Sequence, residues 1–141
     1  MIAFHEDGRT IELTRGDATQ EKYNNLGFRF PIYNVGTGQE EYYEFQPTDK
    51  ITFVCFPKKG YTNEEILRKE YFVKDLGHVK PTITVGLPLT SEDTKKFPLA
   101  NKPKRYWYDL VLNDETTIFG MESENGACQI IVNPESGEGV I

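Results

Sequence analysis

The segment that decides the fold lies at residues 105–133 and contains three runs rich in β-branched and aromatic residues. It reads RYWYDLVL at 105–112, TTIFGMES at 116–123 and ACQIIVN at 127–133. Asn125-Gly126, between the second and third runs, is typical of a two-residue type I′ hairpin turn. That turn predicts three cross-strand pairs: Phe119 with Val132, Met121 with Ile130, and Ser123 with Cys128.

The same register predicts part of the hydrophobic core. If Asp114-Glu115 forms the loop between the first two runs, Leu110 lies opposite Phe119, and one apolar row then crosses three strands. The predicted core members are Leu110, Phe119, Met121, Ile130 and Val132.

A first hairpin is predicted at the start of the chain, because Asp7-Gly8 tolerates the positive φ angles of a type I′ turn. Counting outward from that turn places four large apolar residues on one face: Ile2, Phe4, Ile11 and Leu13. His5 falls on the opposite, polar face, so we expect a surface histidine there.

Further strands and one short helix are predicted between these hairpins. The predicted strands cover residues 28–33, 41–45, 50–56, 62–73 and 79–87. Pro31 marks the first of them as an edge strand, because proline cannot donate to a ladder. The fourth begins like a capping box, so a helix is its alternative. N-cap residues, early acids and late lysines predict the short helix at Ser91–Phe97.

Composition favours an all-β class. Strand-forming residues (Ile, Val, Phe, Tyr, Trp and Thr) outnumber the helix formers Ala, Leu and Met by about three to one. A chain of 141 residues has room for one domain. We therefore predict a single antiparallel β-sandwich domain over residues 1–133, followed by a flexible C-terminal tail over residues 134–141.

Charge and cysteine content exclude several classes of protein. A net charge of −6 argues against a broad nucleic-acid footprint or an anionic-membrane surface. No apolar run reaches the roughly 18 residues of a membrane span. Cys55 and Cys128 are too few for a disulfide framework or a four-cysteine zinc site, which fits a reducing compartment.

Five short motifs occur in a characteristic order. They are RGD at 15–17, TDKITF at 48–53, SEDT at 91–94, YWYDL at 106–110 and TIFG at 117–120. With this order and spacing, the sequence resembles small Ig-like β-sandwich domains of tailed phages and prophages of Gram-positive bacteria, such as the N-terminal domain of upper baseplate proteins. The resemblance covers roughly residues 11–133.

This resemblance implies an Ig-like sandwich and a phage virion structural protein, either a tail or baseplate part or a capsid-associated one. Such a protein is assembled in the cytoplasm of the bacterial host. Its expected partners are other virion structural proteins and further copies of itself, with no nucleic-acid or membrane partner.

No motif predicts catalysis, so we expect no enzyme activity and no cofactor. None of the serines lies in Gly-x-Ser-x-Gly, and no phosphate-binding loop occurs. Cys55 has no basic activator nearby and is typical of a buried small hydrophobe. The acidic pairs lack the spacing of a calcium loop. We accordingly assign no catalytic, cofactor-binding or metal-binding residue.

The aromatic residues leave a second function open, a carbohydrate-binding module that recognises the host surface. They can form a sugar-stacking platform, but the same residue types also fill cores and interfaces. The candidates are Tyr42, Tyr43, Tyr61, Tyr106, Trp107 and Tyr108.

Asp109 is an acidic residue that could be buried, because it lies between Trp107 and Val111 on one face of its strand. A buried carboxylate there needs a partner, and Arg15 is the candidate. The alternative is an Asp109 that faces water.

Overall fold

The computed structural model describes residues 1–19, 26–58, 64–120 and 128–135. Strands make up 45% of the described residues and helical turns 7%. The protein is therefore mostly β, as its composition predicts.

The elements are short. The strands are β1 (Ile2–Phe4), β2 (Ile11–Thr14), β3 (Leu26–Phe28), β4 (Pro31–Asn34), β5 (Gln39–Tyr42), β6 (Lys50–Phe56), β7 (Leu67–Phe72), β8 (Val85–Leu87), β9 (Lys104–Leu112), β10 (Thr116–Phe119) and β11 (Gln129–Asn133). A 3-10 turn spans Val73–Leu76, and the helix α1 spans Ser91–Thr94. Neither of these helical segments in the described part of the chain is long and apolar enough to cross a membrane.

The main sheet is curled and mixed, with the strand order β1-β2-β11-β9-β6-β7 and with β10 also paired to β9. Strands β2 and β11 run parallel, with Ile130 opposite Ile11. The predicted all-antiparallel arrangement is thus wrong, because β11 returns alongside β2 instead of folding back on β10. Strands β3–β8 and β4–β5 form two separate ribbons.

Strand β9 explains why the predicted hairpin between β10 and β11 does not form. One edge of β9 pairs with β6, whereas β11 and β10 follow each other along the other edge. Val132 therefore lies opposite Lys104, not Phe119, and Ile130 lies opposite Tyr106. Cys128 accepts a hydrogen bond from the Tyr108 N–H. The other predicted partners, Met121 and Ser123, and the Asn125-Gly126 turn lie outside the described residues.

The predicted pairing of Leu110 with Phe119 is confirmed, although the chain reaches it by another route. The turn lies one residue earlier than predicted, at Asn113-Asp114, where both residues have positive φ. A shift of register between Thr117 and Phe119 compensates for the earlier turn.

The first hairpin has the predicted register, with Ile2 opposite Leu13. Its turn is longer than the predicted type I′ turn: the His5 N–H donates to the Thr10 carbonyl, and only Gly8 has positive φ. The Asp7 carboxylate accepts hydrogen bonds from the N–H groups of Arg9 and Thr10. His5 is exposed, as predicted, and contacts Glu12.

The strand predictions between the hairpins are confirmed for β6 and, over 67–72 of the predicted 62–73, for β7. Residues 64–72 contain no helix, so the helical alternative for this segment is wrong. The predicted strand at 28–33 splits into β3 and β4, which belong to different ribbons. The predicted strand at 41–45 lies at 39–42, with Phe45 in an isolated bridge to Thr82.

The strand predicted at 79–87 is wrong over most of its length. Only Val85–Leu87 is a strand, and Val79 and Ile83 are exposed. Pro81 lacks the N–H that a ladder would use, and the chain makes only the bridge at Thr82 before β8.

The short helix predicted at Ser91–Phe97 is confirmed over Ser91–Thr94 and ends three residues earlier than predicted, with Thr90 as its N-cap. Its hydroxyl accepts a hydrogen bond from the Asp93 N–H, and the Asp93 carboxylate accepts one from the Thr90 N–H. Lys69 adds an ion pair to Asp93 at 2.6 Å, which joins α1 to β7.

The core lies inside the curl of the main sheet. Four predicted members, Leu110, Phe119, Ile130 and Val132, are buried there, whereas Met121 lies outside the described residues. Large aromatic rings fill the rest, with Tyr108 packed on Phe53 and Tyr106 packed on Phe97.

Asp109 is buried, with only 5% of its surface exposed. The contacts described for Arg15 lie at the end of α1 and at Glu135. Arg15 donates from Nε to the Phe97 carbonyl and from Nη2 to the Lys95 carbonyl, and it pairs with Glu135 at 3.2 Å. Arg15 therefore ties the end of α1 to the start of the predicted tail, whose residues 136–141 lie outside the described residues.

Strand β11 offers a direct test of which face lies in the core. Ile130 is fully buried, and its neighbour Ile131 is half-buried on the opposite face. Ile130→Ala should lower the free energy of unfolding by about 2–5 kcal/mol, because it leaves a cavity. Ile131→Ala should cost less than about 1.5 kcal/mol. Urea denaturation measures both, and equal losses would contradict the face assignment.

Candidate functional site

A groove of about 500 Å³ lies between the first hairpin turn, strand β3 and the β4–β5 ribbon. Residues from distant parts of the chain meet there. Its principal lining residues are Phe4, Arg9, Phe28, Arg29, Tyr42 and Phe119.

The floor of the groove is aromatic and rigid. Phe28 packs on Phe119 with ring centroids 6.2 Å apart, and it meets Phe45 edge-on at 5.7 Å. Phe28 and Phe119 are both buried, so the floor belongs to the core. A ligand therefore meets a preformed apolar surface.

Two guanidinium groups lie over aromatic rings along this groove. Arg29 sits 5.2 Å from the ring centre of Tyr42, and Arg9 sits 4.9 Å from that of Phe119. Arg29 also donates from Nε to the Thr84 hydroxyl at 3.0 Å. Cation–π contacts of this kind help to hold a guanidinium group in place.

Arg9 is fixed from its backbone as well. Its carbonyl accepts a hydrogen bond from the Tyr108 hydroxyl in the core. Burial raises the pKa of Tyr108 well above its ordinary value, so the hydroxyl keeps its proton and remains a donor.

Gly27 lines the groove and contributes no side chain to it. It lies in β3 between buried Leu26 and Phe28, opposite Gly86 of β8. A Cβ atom at Gly27 would have no atom within 4 Å. Glycine inside a strand often marks a place where a ligand or another backbone approaches. The sequence patterns predicted no site here, although Gly27 was a signal that could have indicated one.

The β4–β5 ribbon, hereafter the arm, borders the groove. All four residues of β5 are exposed. Among the described residues, β4 and β5 form a ladder only with each other. Two large apolar side chains, Ile32 and Tyr42, are about two-fifths exposed on it.

The hydrogen-bond pattern identifies the free edge of the arm. The Tyr43 N–H donates to the Phe30 carbonyl. Because bonded and non-bonded pairs alternate in an antiparallel ribbon, the N–H and C=O groups of Glu40 and Tyr42 point away from β4. Pro31 occupies the equivalent outward position on β4, where its missing N–H costs nothing, and so the predicted edge position of Pro31 is confirmed.

The base of the arm is anchored by Asp49. Its carboxylate accepts hydrogen bonds from the Tyr43 hydroxyl, the Gln46 N–H and the Asn113 amide, at 2.8, 2.8 and 3.0 Å. Burial alone would raise the pKa of Asp49, but these bonds outweigh it and hold the pKa below its ordinary value. Burial and the bond to Asp49 raise the pKa of Tyr43 to about 12.

The five described aromatic residues of the predicted sugar platform do not share one surface. Tyr106 and Tyr108 are buried, and Tyr43 packs against the core. Trp107 packs on the small cluster of Val54 and Phe56. Tyr42 alone lies in the groove, and Tyr61 lies outside the described residues.

The residues considered for other chemistry are placed as follows. Cys55 is fully buried, and burial raises the pKa of its thiol well above the ordinary value, which confirms its reading as a core residue. Cys128 is also buried and free. Within the ranges that the structure describes, no three His, Cys, Asp or Glu side chains are grouped to hold a metal ion.

No family model, curated protein or solved structure matches this chain.

The anchor at Asp49 can be tested with a matched pair of tyrosines. Tyr43→Phe removes a hydrogen bond to a charged group and should lower the free energy of unfolding by about 1–3 kcal/mol at pH 7. Tyr42→Phe should change it by less than about 0.5 kcal/mol, because that side chain is exposed. Denaturant unfolding compares the two variants.

The loss of stability caused by Tyr43→Phe should also depend on pH. Because the folded-state pKa of Asp49 lies below 3.8, its ionised form stabilises the fold above that pH, and the stabilisation is lost as the pH falls through the folded-state pKa. The difference between the wild type and Tyr43→Phe should therefore shrink in acid. A difference that stays constant down to the acid transition would contradict the assignment.

Proposed function

We propose that this protein is a structural subunit that works by packing against copies of itself and neighbouring proteins, with the free edge of β5 as the contact. The observation that carries the proposal is the exposure of all four β5 residues. An isolated two-stranded ribbon is only marginally stable in water. Its unpaired edge therefore gains from another strand.

The edge supplies the groups that such a contact needs. The outward backbone groups of Glu40 and Tyr42 can bond to an added strand, which is a common mode of protein recognition. Ile32 and Val35 add exposed apolar surface on the same arm. Main-chain bonding would supply affinity, and these side chains would supply specificity.

The virion setting of the proposal rests on the sequence motifs alone. On that basis we propose a tail, baseplate or capsid-associated subunit of a phage, assembled in the host cytoplasm, with no catalytic activity. The Ig-like classification belongs to the same proposal, as a variant that carries a parallel pair between β2 and β11.

The carbohydrate-binding alternative has weaker support. It needs several exposed rings on one surface, but only Tyr42 among the described candidates lies in the groove. Its ring face is already occupied by Arg29. The assembly role therefore takes precedence.

The proposal predicts self-association through β5. Sedimentation velocity of the purified chain at increasing concentration should show oligomers. Glu40→Pro should abolish them, because it removes an outward N–H while leaving the bonds between β4 and β5 intact. Glu40→Gln keeps that N–H and is the matched control.

A monomer at every concentration would contradict the proposal. Oligomers that persist in Glu40→Pro would show that the contact lies elsewhere on the molecule. Equal loss in Glu40→Pro and Glu40→Gln would mean that the Glu40 charge, not the strand edge, makes the contact.

A further inference from the structure

We propose that the groove beside the arm is a binding site for a small organic carboxylate with an aromatic or branched aliphatic body. This inference concerns the groove, whereas the assembly role concerns the backbone edge of β5. Either can hold without the other.

Arg29 provides the first argument. Its ring contact with Tyr42 and its Nε bond to Thr84 fix the plane of the guanidinium. Its two terminal nitrogens make no hydrogen bond to any described residue. A planar guanidinium with both terminal nitrogens available is the preferred partner for a carboxylate, which it binds through two parallel hydrogen bonds.

The acids near the groove provide the second argument. The carboxylate of Asp7 is engaged by the N–H groups of Arg9 and Thr10 and by the Thr10 hydroxyl, so it stabilises the turn. Glu40 also lines the groove and makes no hydrogen bond to the described residues. Glu40 would therefore oppose an anion, and removing its charge should strengthen binding.

The floor of the groove determines what the rest of the ligand must be. Phe4 and Phe28 line it, and Gly27 adds no side chain beside them, whereas Arg9 lies over the ring of Phe119. A volume of about 500 Å³ lies within the range of small-molecule sites. A ligand whose apolar body packs on those rings and whose carboxylate binds Arg29 uses both the aromatic floor and the positive charge of the groove.

The test is a titration of the full chain, followed by NMR at constant ionic strength, with phenylacetate as the probe. Phenylacetamide has the same body without the charge, and acetate has the charge without the body. We expect phenylacetate to bind at least about tenfold more tightly than either control, because a hydrogen bond to a charged group is roughly twice as strong as a neutral one.

Two variants localise the binding, each with a matched control outside the groove. Gly27→Val fills open space and should abolish binding without loss of stability, whereas Ala3→Val adds the same bulk at an exposed position of β1. Arg29→Gln should weaken phenylacetate binding about tenfold or more, whereas Arg105→Gln should leave it unchanged. Glu40→Gln should strengthen it.

Two sources of the carboxylate can be separated in the same experiment. If phenylacetate reverses self-association, the natural occupant is an acidic side chain of a neighbouring copy; if it binds without affecting association, the occupant is a free acid. Equal affinity for phenylacetate and phenylacetamide would overturn the proposal. Binding that survives both Gly27→Val and Arg29→Gln would overturn it as well.

Discussion

The hydrogen-bonding demand of strand β9 is the constraint on which the rest of the structure depends. Nine residues, Lys104–Leu112, carry backbone groups on both edges, and the groups of the buried residues among them must be paired. Strand β6 fills one edge, and two shorter strands share the other. Strand β11 takes the first part of that edge, and its own outer edge pairs in parallel with β2, so the sheet is mixed.

The candidate site follows from this arrangement. The curl brings the first hairpin turn near Phe119 at the end of β10, and this closes one side of the groove. The turn after β9 places Asn113 against Asp49, which in turn holds Tyr43 at the base of the arm. The arm is therefore fixed at its base, while β5 stays exposed along its length.

Local sequence patterns predicted those features of the fold that depend on neighbouring residues. The apolar face of the first hairpin fixed its register even though the turn differs, because a shift of one residue would turn Ile2 and Leu13 towards water. The Asn125-Gly126 signal did not predict the partners of β11, which are β9 and, from the far end of the chain, β2. The groove could not be predicted from the sequence either, since Arg9, Arg29 and Phe119 meet only after folding.

Amide hydrogen exchange at β5 tests most directly the claim that this edge is the contact surface. Glu41 bonds within the arm and serves as an internal reference for the outward amides of Glu40 and Tyr42. In dilute monomer, Glu40 and Tyr42 should exchange rapidly and Glu41 slowly. At concentrations where the protein associates, all three should be protected. Unchanged fast exchange at Glu40 and Tyr42 in the associated state would contradict the account.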